Sequence, residues 1–405
     1  MRFKVWWLAG AAVAAIVAVA AWSGRGDAAP AQTAGTGAAA PGPQFFGQVG
    51  AGAGAALTPA ARAARLQELK QNFELVDQTL CNYTASTKYP EASRPASEHP
   101  DQVYPNEPVT ETNAMRTGGN GTDPAVQIQT SQSRVFMASG EAAAFSIRAV
   151  DTAGTPLALV ITRAVAQGMT FKGARPTTQI AVPFADDGKG ADAAGGDGAF
   201  GAILAPSQTG LAGFNGTIRT EVRYTVNGKA GFVLFDVIYT PELPATWSGQ
   251  VREAVEDGSL VYYLKADIRK AGRYIVHGRV DDSKGKPFAL ATFNDVLPSG
   301  PAEVKLVVFG KLMRDQDAAL PLTLRDVDGF LLKEDVDPDR ALMPRLEGKV
   351  LVGKPHPLKN FSDAEWQSEE RSRHLVEFTK DVALAQGAYR QLDPGLPVPK
   401  SACLN

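Results

Sequence analysis

An acidic, glycine-rich stretch at residues 185–198 contains the side chains whose types and spacing best suit a chemical role. It holds four carboxylates and five glycines. Calcium takes about six to eight oxygen ligands, and closely spaced aspartates on a flexible loop can supply several of them. The spacing differs from that of an EF-hand, and a solvated turn whose Asp and Gly residues adopt left-handed geometry is the alternative. The candidate calcium ligands are Asp186, Asp187, Asp192 and Asp197.

The remaining polar residues match no catalytic signature. The chain has four histidines and two cysteines, with neither an H-E-x-x-H pair nor a G-x-S-x-G elbow. His277 and Asp281 could form half of a triad, but a strand histidine that faces solvent is the alternative. Asp335, Asp337 and Asp339 give only a weak EF-hand match. We therefore assign no catalytic residue and no required cofactor, and we expect a protein that is not an enzyme.

The N-terminus predicts export. A short basic start precedes the apolar run Val5–Trp22, which as a helix would span about 27 Å, close to the thickness of a bilayer core. We expect a signal anchor in the inner membrane of a bacterial cell, with its N-terminus in the cytoplasm and the body in the periplasm. Cleavage after Ala18–Ala20, which would give a secreted or surface protein, is the alternative. The Ala/Gly/Pro-rich residues 23–56 predict a disordered linker.

The charge balance and the cysteines limit the partners and the compartment. The 41 Lys and Arg residues nearly balance 43 Asp and Glu residues, so no global basic field attracts nucleic acid. Cys81 and Cys403 are the two cysteines of the chain. An isolated pair of cysteines in an oxidising compartment is more often bonded than free, so we predict a Cys81–Cys403 disulfide. Two unrelated thiols are the alternative.

Two segments have the apolar periodicity of helices. After Thr58 and Pro59, which suit a helix start, one apolar stripe continues for about 22 residues. A helix packed on its own domain is the favoured interpretation, and a coiled-coil or partner helix is the alternative. Near the C-terminus, Ser362 and Glu365 have the spacing of a capping box, which predicts that a second helix begins there. The two stripes are Leu66, Leu69, Phe73, Val76 and Leu80, and Leu375, Phe378, Val382, Ala385 and Tyr389.

Between the helices the apolar period changes to two. Phe145, Ile147 and Ala149 alternate with polar neighbours, and Asn227-Gly228 separates two alternating runs as in a β-hairpin. The chain is therefore expected to be mainly β, with two tandem antiparallel immunoglobulin-like β-sandwiches flanked by an N-terminal and a C-terminal α-helix. The expected divisions are the membrane-spanning helix at 1–22, the linker at 23–56, a helix with an irregular connector at 57–124, sandwiches at 125–243 and 244–333, and a connector with the last helix at 334–405.

Several short motifs resemble those of the bacterial choice-of-anchor X family, over about residues 125–350. They are the loop Asp186–Gly198 with Phe200, Tyr239–Pro241, Asp257–Leu260, Gly272–Tyr274 and Pro338–Arg340. The resemblance implies a surface-exposed protein held by an anchor, with no assigned enzymatic activity. It supplies no catalytic residue. This chain departs from the family pattern because its anchor would be N-terminal.

Three functions remain compatible with the sequence. The favoured one is a non-enzymatic, exported envelope protein that binds envelope or surface proteins as a scaffold, adhesin or assembly module. A calcium-assisted glycan- or peptidoglycan-binding module is the alternative, and an exposed platform of Trp247, Tyr262 and Tyr263 would favour it. The least favoured is a hydrolase that pairs Asp186 or Asp187 with Asp197.

Overall fold

The computed structural model describes residues 58–118, 121–170 and 177–404, and they form a mainly β structure. The expected membrane helix and linker, residues 1–56, lie outside this range. Within the described residues, no helix combines the length and the apolar character that crossing a membrane requires. The predicted mainly β class is confirmed.

Nineteen strands and three α-helices make up the described structure. In chain order they are α1 (Pro59–Ser86), β1 (Ser93–Pro95), β2 (Val109–Arg116), β3 (Thr122–Gln132), β4 (Phe136–Ala138), β5 (Ala143–Asp151), β6 (Pro156–Leu157), β7 (Leu159–Gly168), β8 (Ile180–Ala181), β9 (Phe200–Leu204), β10 (Gly216–Val226), β11 (Lys229–Thr240), β12 (Ala245–Glu256), β13 (Ser259–Ile268), β14 (Gly272–Asp281), β15 (Pro287–Leu297), β16 (Gly300–Val308), α2 (Gly310–Asp315), β17 (Thr323–Leu332), β18 (Arg340–Leu342), β19 (Leu346–Val352) and α3 (Glu369–Leu392).

The first sheet pair encloses a core made by alternating side chains. One sheet has the order β2-β3-β5-β6 with β9 also on β5, and the other has the order β4-β11-β10-β7-β8. Phe145 of β5 stacks on Phe235 of β11 with ring centroids 4.6 Å apart. Phe145, Ile147 and Ala149 are all buried, so the predicted period of two is confirmed.

The predicted hairpin is present between β10 and β11. Asn227 and Gly228 have φ angles of 52° and 74°, which are the left-handed values that a tight hairpin turn needs. The two strands pair from Val226–Lys229 to Gly216–Tyr239 without a register shift. This turn therefore sets the register of the longest ladder in the first sheet pair.

The second sheet pair is larger than the sequence predicts. Its sheets have the orders β1-β15-β14-β17-β18, with β19 on β17, and β12-β13-β16, and they share one core. β1 comes from the expected irregular connector at 57–124, and β18 and β19 come from the connector after 333. These short strands cover sheet edges, a role that depends on their partners more than on their own sequence.

The two long helices pack on each other in antiparallel directions. Both predicted stripes face this contact, with Leu69, Phe73 and Leu80 of α1 buried against Val382 and its neighbours on α3. The apolar stripe of α1 therefore packs on another helix of the same chain. We call α1, α3 and the tail after Leu392 the helix pair.

The start of the C-terminal helix differs from the prediction. α3 begins at Glu369, and its N-cap is Ser368, whose Oγ accepts the Arg371 N–H at 3.0 Å. The capping box at Ser362 is wrong because Phe361 is only 3% exposed in the second core, which holds this segment extended. Ser362 N–H donates instead to the Gly258 carbonyl at 2.8 Å.

The predicted disulfide is confirmed. Cys81 and Cys403 are bonded, with Cα atoms 5.4 Å apart. The tail before Cys403 runs back along the helices, since Ala402 N–H donates to the Asp77 carboxylate at 3.1 Å and the Gln386 amide donates to the Pro399 carbonyl at 3.0 Å. The bond therefore fastens the end of the chain to the part of α1 nearest the strands.

Candidate functional site

The acidic loop brings three of its four candidate ligands together. Asp186, Asp192 and Asp197 each offer a carboxylate oxygen, and these oxygens all lie within 4.8 Å of one another. Asp187 lies outside this group, and its carboxylate accepts the Lys189 N–H at 3.1 Å. Three convergent carboxylates form an oxygen-rich site of the type that suits a hard cation.

Backbone amides of the same loop already occupy much of this oxygen surface. Asp186 accepts N–H groups from Gly196, Asp197 and Gly198, and Asp192 accepts the Gly188 N–H. Asp187, Asp192 and Asp197 also each accept the N–H two residues on, as in Asx turns, which shape loops without any ion. The geometry therefore satisfies the turn interpretation and leaves the calcium interpretation a prediction.

The histidine that sequence reasoning considered for a triad belongs to a charged cluster. His277 Nδ1 lies 3.5 Å from Asp328, whereas Asp281 pairs with Arg325 at 2.6 Å. Burial alone would raise the pKa of the Asp328 carboxyl, but the His277 hydrogen bond and the Arg279 charge outweigh burial and hold that pKa below its ordinary value.

This cluster has a structural role. Arg279 donates to the Gln102 carbonyl at 2.8 Å, and Arg325 donates to the Val103 carbonyl at 2.9 Å. The two guanidinium groups, whose charges are balanced by carboxylates, therefore hold the segment that precedes β2 against the second sheet pair.

The aromatic residues whose exposure would favour glycan binding are not exposed. Tyr262 is fully buried and Tyr263 is 3% exposed. Trp247 is half-buried, and its indole N–H donates to the Pro344 carbonyl at 2.8 Å. These three residues form no exposed platform, because they face inward or are covered by neighbours, such as Arg252 over the Tyr263 ring.

The β2 strand presents an open edge to a partner. Six of its eight residues are exposed. It pairs with β3 along its length, and on its other side the described residues contribute only the Thr117–Gly231 bridge just beyond its end. A strand of this length with one open side is a template for pairing with another chain.

A second open edge lies opposite β2. β11 pairs with β10 throughout, but on its outer side β4 reaches only Ile238–Thr240. The Gln132 side-chain amide donates to the Asp236 carbonyl at 2.8 Å, next to the part of β11 that β4 covers. Toward the start of β11, Gly231 forms the bridge with Thr117. Between Gly231 and Asp236, no strand of the described ranges pairs with the outer side of β11. The open edges of β2 and β11 therefore face the same cleft, which residues of both strands line.

Sequence reasoning missed β2 because it assigned residues 82–124 to an irregular connector after the first helix. The strand Val109–Arg116 lacks a clear apolar alternation, since most of its side chains are polar and exposed. The available signal was the high strand preference of Val109, Thr110 and Thr112.

Comparison with known proteins assigns no family. No protein-family model and no curated protein matches the chain. A DUF4785 family protein from Legionella pneumophila has a TM-score of 0.36 and 13% identity, over 56% of this chain and 57% of that protein. Fibronectin(III)-like modules of Clostridium thermocellum CbhA have a TM-score of 0.19 and 10% identity, over 58% and 90%. The adhesin InvE of Yersinia pseudotuberculosis has a TM-score of 0.16 and 10% identity, over 53% and 58%. Likeness at these TM-scores carries no inference about function.

Proposed function

We propose that this chain is an exported, non-enzymatic envelope protein that binds other proteins through the open edge of β2. The observation that carries the proposal is the exposed strand Val109–Arg116, whose outer side pairs with no strand of the described structure. Addition of a partner strand would supply main-chain hydrogen bonds along this edge. On this proposal the two sheet pairs are tandem immunoglobulin-like sandwiches, and β2 lies at the rim of the first.

The proposed location is the periplasmic side of the inner membrane. The Cys81–Cys403 disulfide supports an oxidising compartment, since cytosolic thiols are kept reduced. The apolar run Val5–Trp22 would serve as the anchor. Release after Ala18–Ala20, to the cell surface or the medium, is the alternative. Cell fractionation with mass spectrometry of the N-terminal peptide distinguishes the two, because only an uncleaved chain retains residues 1–20 in the membrane fraction.

In-cell crosslinking of the full chain tests the partner. A photo-crosslinking amino acid replaces Thr112 at the open edge, and a matched chain carries it at Arg148, which is exposed on the inner strand β5 of the same sheet. We expect a reproducible protein adduct from position 112 and none from position 148. Adducts from position 112 to wall material alone would refute the proposal and favour glycan binding.

A calcium-assisted glycan-binding module is the second candidate function. The convergence of Asp186, Asp192 and Asp197 is the observation that favours it. Calcium chloride should then raise the melting temperature of the full chain, and Asp192→Asn should abolish the rise. An equal rise in the variant would remove the loop from consideration. A hydrolase built on Asp186 and Asp197 stays a prediction.

A further inference from the structure

A small cavity lies in the cleft between β2 and β11. Its volume is about 70 Å³, and its lining includes Asn113, Arg116, Thr130, Tyr224, Phe232 and Leu234. A cavity needs roughly 10–15 Å³, measured the same way, to hold one water. The space therefore accepts several waters or one small functional group, and its lining contains both apolar surface and polar groups.

The floor of the cavity carries an unsatisfied donor. Tyr224 is 1% exposed, and its hydroxyl has no hydrogen-bond partner among the described residues. Buried hydroxyls are almost always hydrogen-bonded, so a buried hydroxyl without a partner, on a residue that lines a cavity, points to a missing ligand atom. The ring reaches this position beside Gly231, where a Cβ would lie 2.7 Å from a Tyr224 ring carbon.

The mouth of the cavity carries an unpaired positive charge. Arg116 is exposed on β2, and in the described ranges its guanidinium makes neither an ion pair nor a side-chain hydrogen bond. Burial raises the pKa of the Tyr224 hydroxyl to about 12, and the Arg116 charge opposes that rise. The hydroxyl therefore stays protonated at neutral pH, and the electrostatic effect of Arg116 on it means that the two groups lie near each other.

One acidic group also lines this cavity. Glu111 is exposed, and its carboxylate accepts the Asn113 amide at 3.0 Å. A strongly charged anion such as a phosphate would face this negative charge at close range. A singly charged group that Arg116 can pair with bidentately suits the pocket better.

We propose that the cavity between β2 and β11 binds a carboxylate, which the Arg116 guanidinium and the Tyr224 hydroxyl hold together. The carboxylate belongs to an acidic side chain of an extended polypeptide that lies along the open edge of β2. This inference deepens the protein-binding function proposed above and rests on it for the source of the carboxylate.

Two probes separate the carboxylate from its source. Propionate, followed by saturation-transfer NMR, tests the pocket alone on the full chain. The blocked peptide acetyl-Thr-Val-Glu-Val-Thr-amide and its Gln counterpart, which carry no terminal charge, test the polypeptide by calorimetry. We expect propionate to bind, and the Glu peptide to bind about tenfold more tightly than the Gln peptide, as one charge-assisted contact provides.

Three variants assign the binding to the pocket. Arg116→Met should weaken propionate and the Glu peptide by about tenfold, and Tyr224→Phe by about threefold to tenfold. Tyr224→Phe should retain the fold, because the hydroxyl that it removes has no partner. Arg148→Met, which removes an exposed arginine from the inner strand β5 of the same sheet, should bind both probes like the wild type.

Each contrary result refutes a different part of the proposal. If folded Arg116→Met and Tyr224→Phe bind propionate like the wild type, or if the wild type does not bind it, the carboxylate pocket is refuted. Crosslinks from position 112 would still support the protein-binding function. If propionate binds but the Glu peptide binds no more tightly than propionate, the polypeptide source is refuted and the pocket is retained.

Discussion

Removal of the disulfide should loosen the helix pair and leave the sheets intact. The variant is Cys81→Ser with Cys403→Ser, which avoids free thiols. The helix pair has its own small core, made only of α1 and α3 residues, so it can open while the sheet pairs stay folded. The size of the effect therefore depends on whether the helices unfold alone or with the rest of the chain.

The two cases have different loop lengths and different energies. When the whole chain unfolds, the crosslink closes a loop with a sequence separation of 322 residues. For a loop of this length, the chain-entropy model gives a stabilisation of about 6 kcal/mol. When the helix pair opens on a folded body, only the segments from Cys81 to Lys88 and from Ser368 to Cys403 are free. For that loop of about 40 residues, the same model gives a stabilisation of about 4 kcal/mol.

Hydrogen exchange with mass spectrometry of the full chain separates these cases, because it follows helix and strand peptides individually. We expect the protection of Pro59–Ser86 and Glu369–Leu392 to fall by up to about a thousandfold in the double variant, the ratio that about 4 kcal/mol represents. The peptide Ser259–Ile268, from the second core, serves as the internal control and should keep its protection.

Two outcomes would refute this reasoning. Unchanged protection of both helices would mean that the helix pair gains nothing from the covalent link. An equal loss in the helices and in Ser259–Ile268 would mean that the chain unfolds as one cooperative unit, in which case the larger estimate applies.

Three further substitutions, one of them with a matched control, test the packing and the charges. Phe145→Ala should lower the free energy of unfolding by about 3–5 kcal/mol in urea titrations, because it empties the centre of the first core. Asp328→Asn should be less stable than the wild type at neutral pH, and the difference should shrink as the pH falls below the ordinary aspartate pKa of 3.8, because the wild type then loses the stability that its lowered pKa provides. Gly310→Ala should lower the melting temperature markedly, since its Cβ would lie 1.9 Å from the Gly258 carbonyl oxygen, whereas Gly213→Ala, with nothing within 4 Å, should have little effect.

Local periodicity explains why the central elements were predictable. The stripe on α1, the alternation around Phe145 and the turn at Asn227-Gly228 each depend on residues within a few positions of one another. The acidic loop belongs to the same class, since three aspartates within twelve positions meet through the turns of one segment. The disulfide was predictable because the chain offers only one pairing of its two cysteines.

Long-range packing explains what the sequence did not indicate. The capping box at Ser362 has suitable residues, but burial of Phe361 in the second core takes precedence over local helix preference. β1 has three residues and is a strand because it pairs with β15, which lies almost 200 positions later in the chain. The cavity above Tyr224 could not be predicted, because it arises where two strand edges more than 100 positions apart meet across the rim of a sheet pair.

The charges of β2 and the three residues of β3 that its ladder skips, 124–126, bear on which chains could pair with β2. If two copies paired antiparallel about the point between Asn113 and Ala114, Glu111 of one copy would face Arg116 of the other, which is electrostatically favourable. The ladder with β3, however, shifts register one position away, where Ala114 pairs with Gln127 and Met115 pairs with Asp123. An irregularity of this kind twists the strand pair and disfavours a regular second ladder through the same point. Residues 109–114 pair with β3 without a shift, and Arg116 lines the cavity. β2 is therefore better suited to a short partner strand that ends in the pocket than to a second copy of itself.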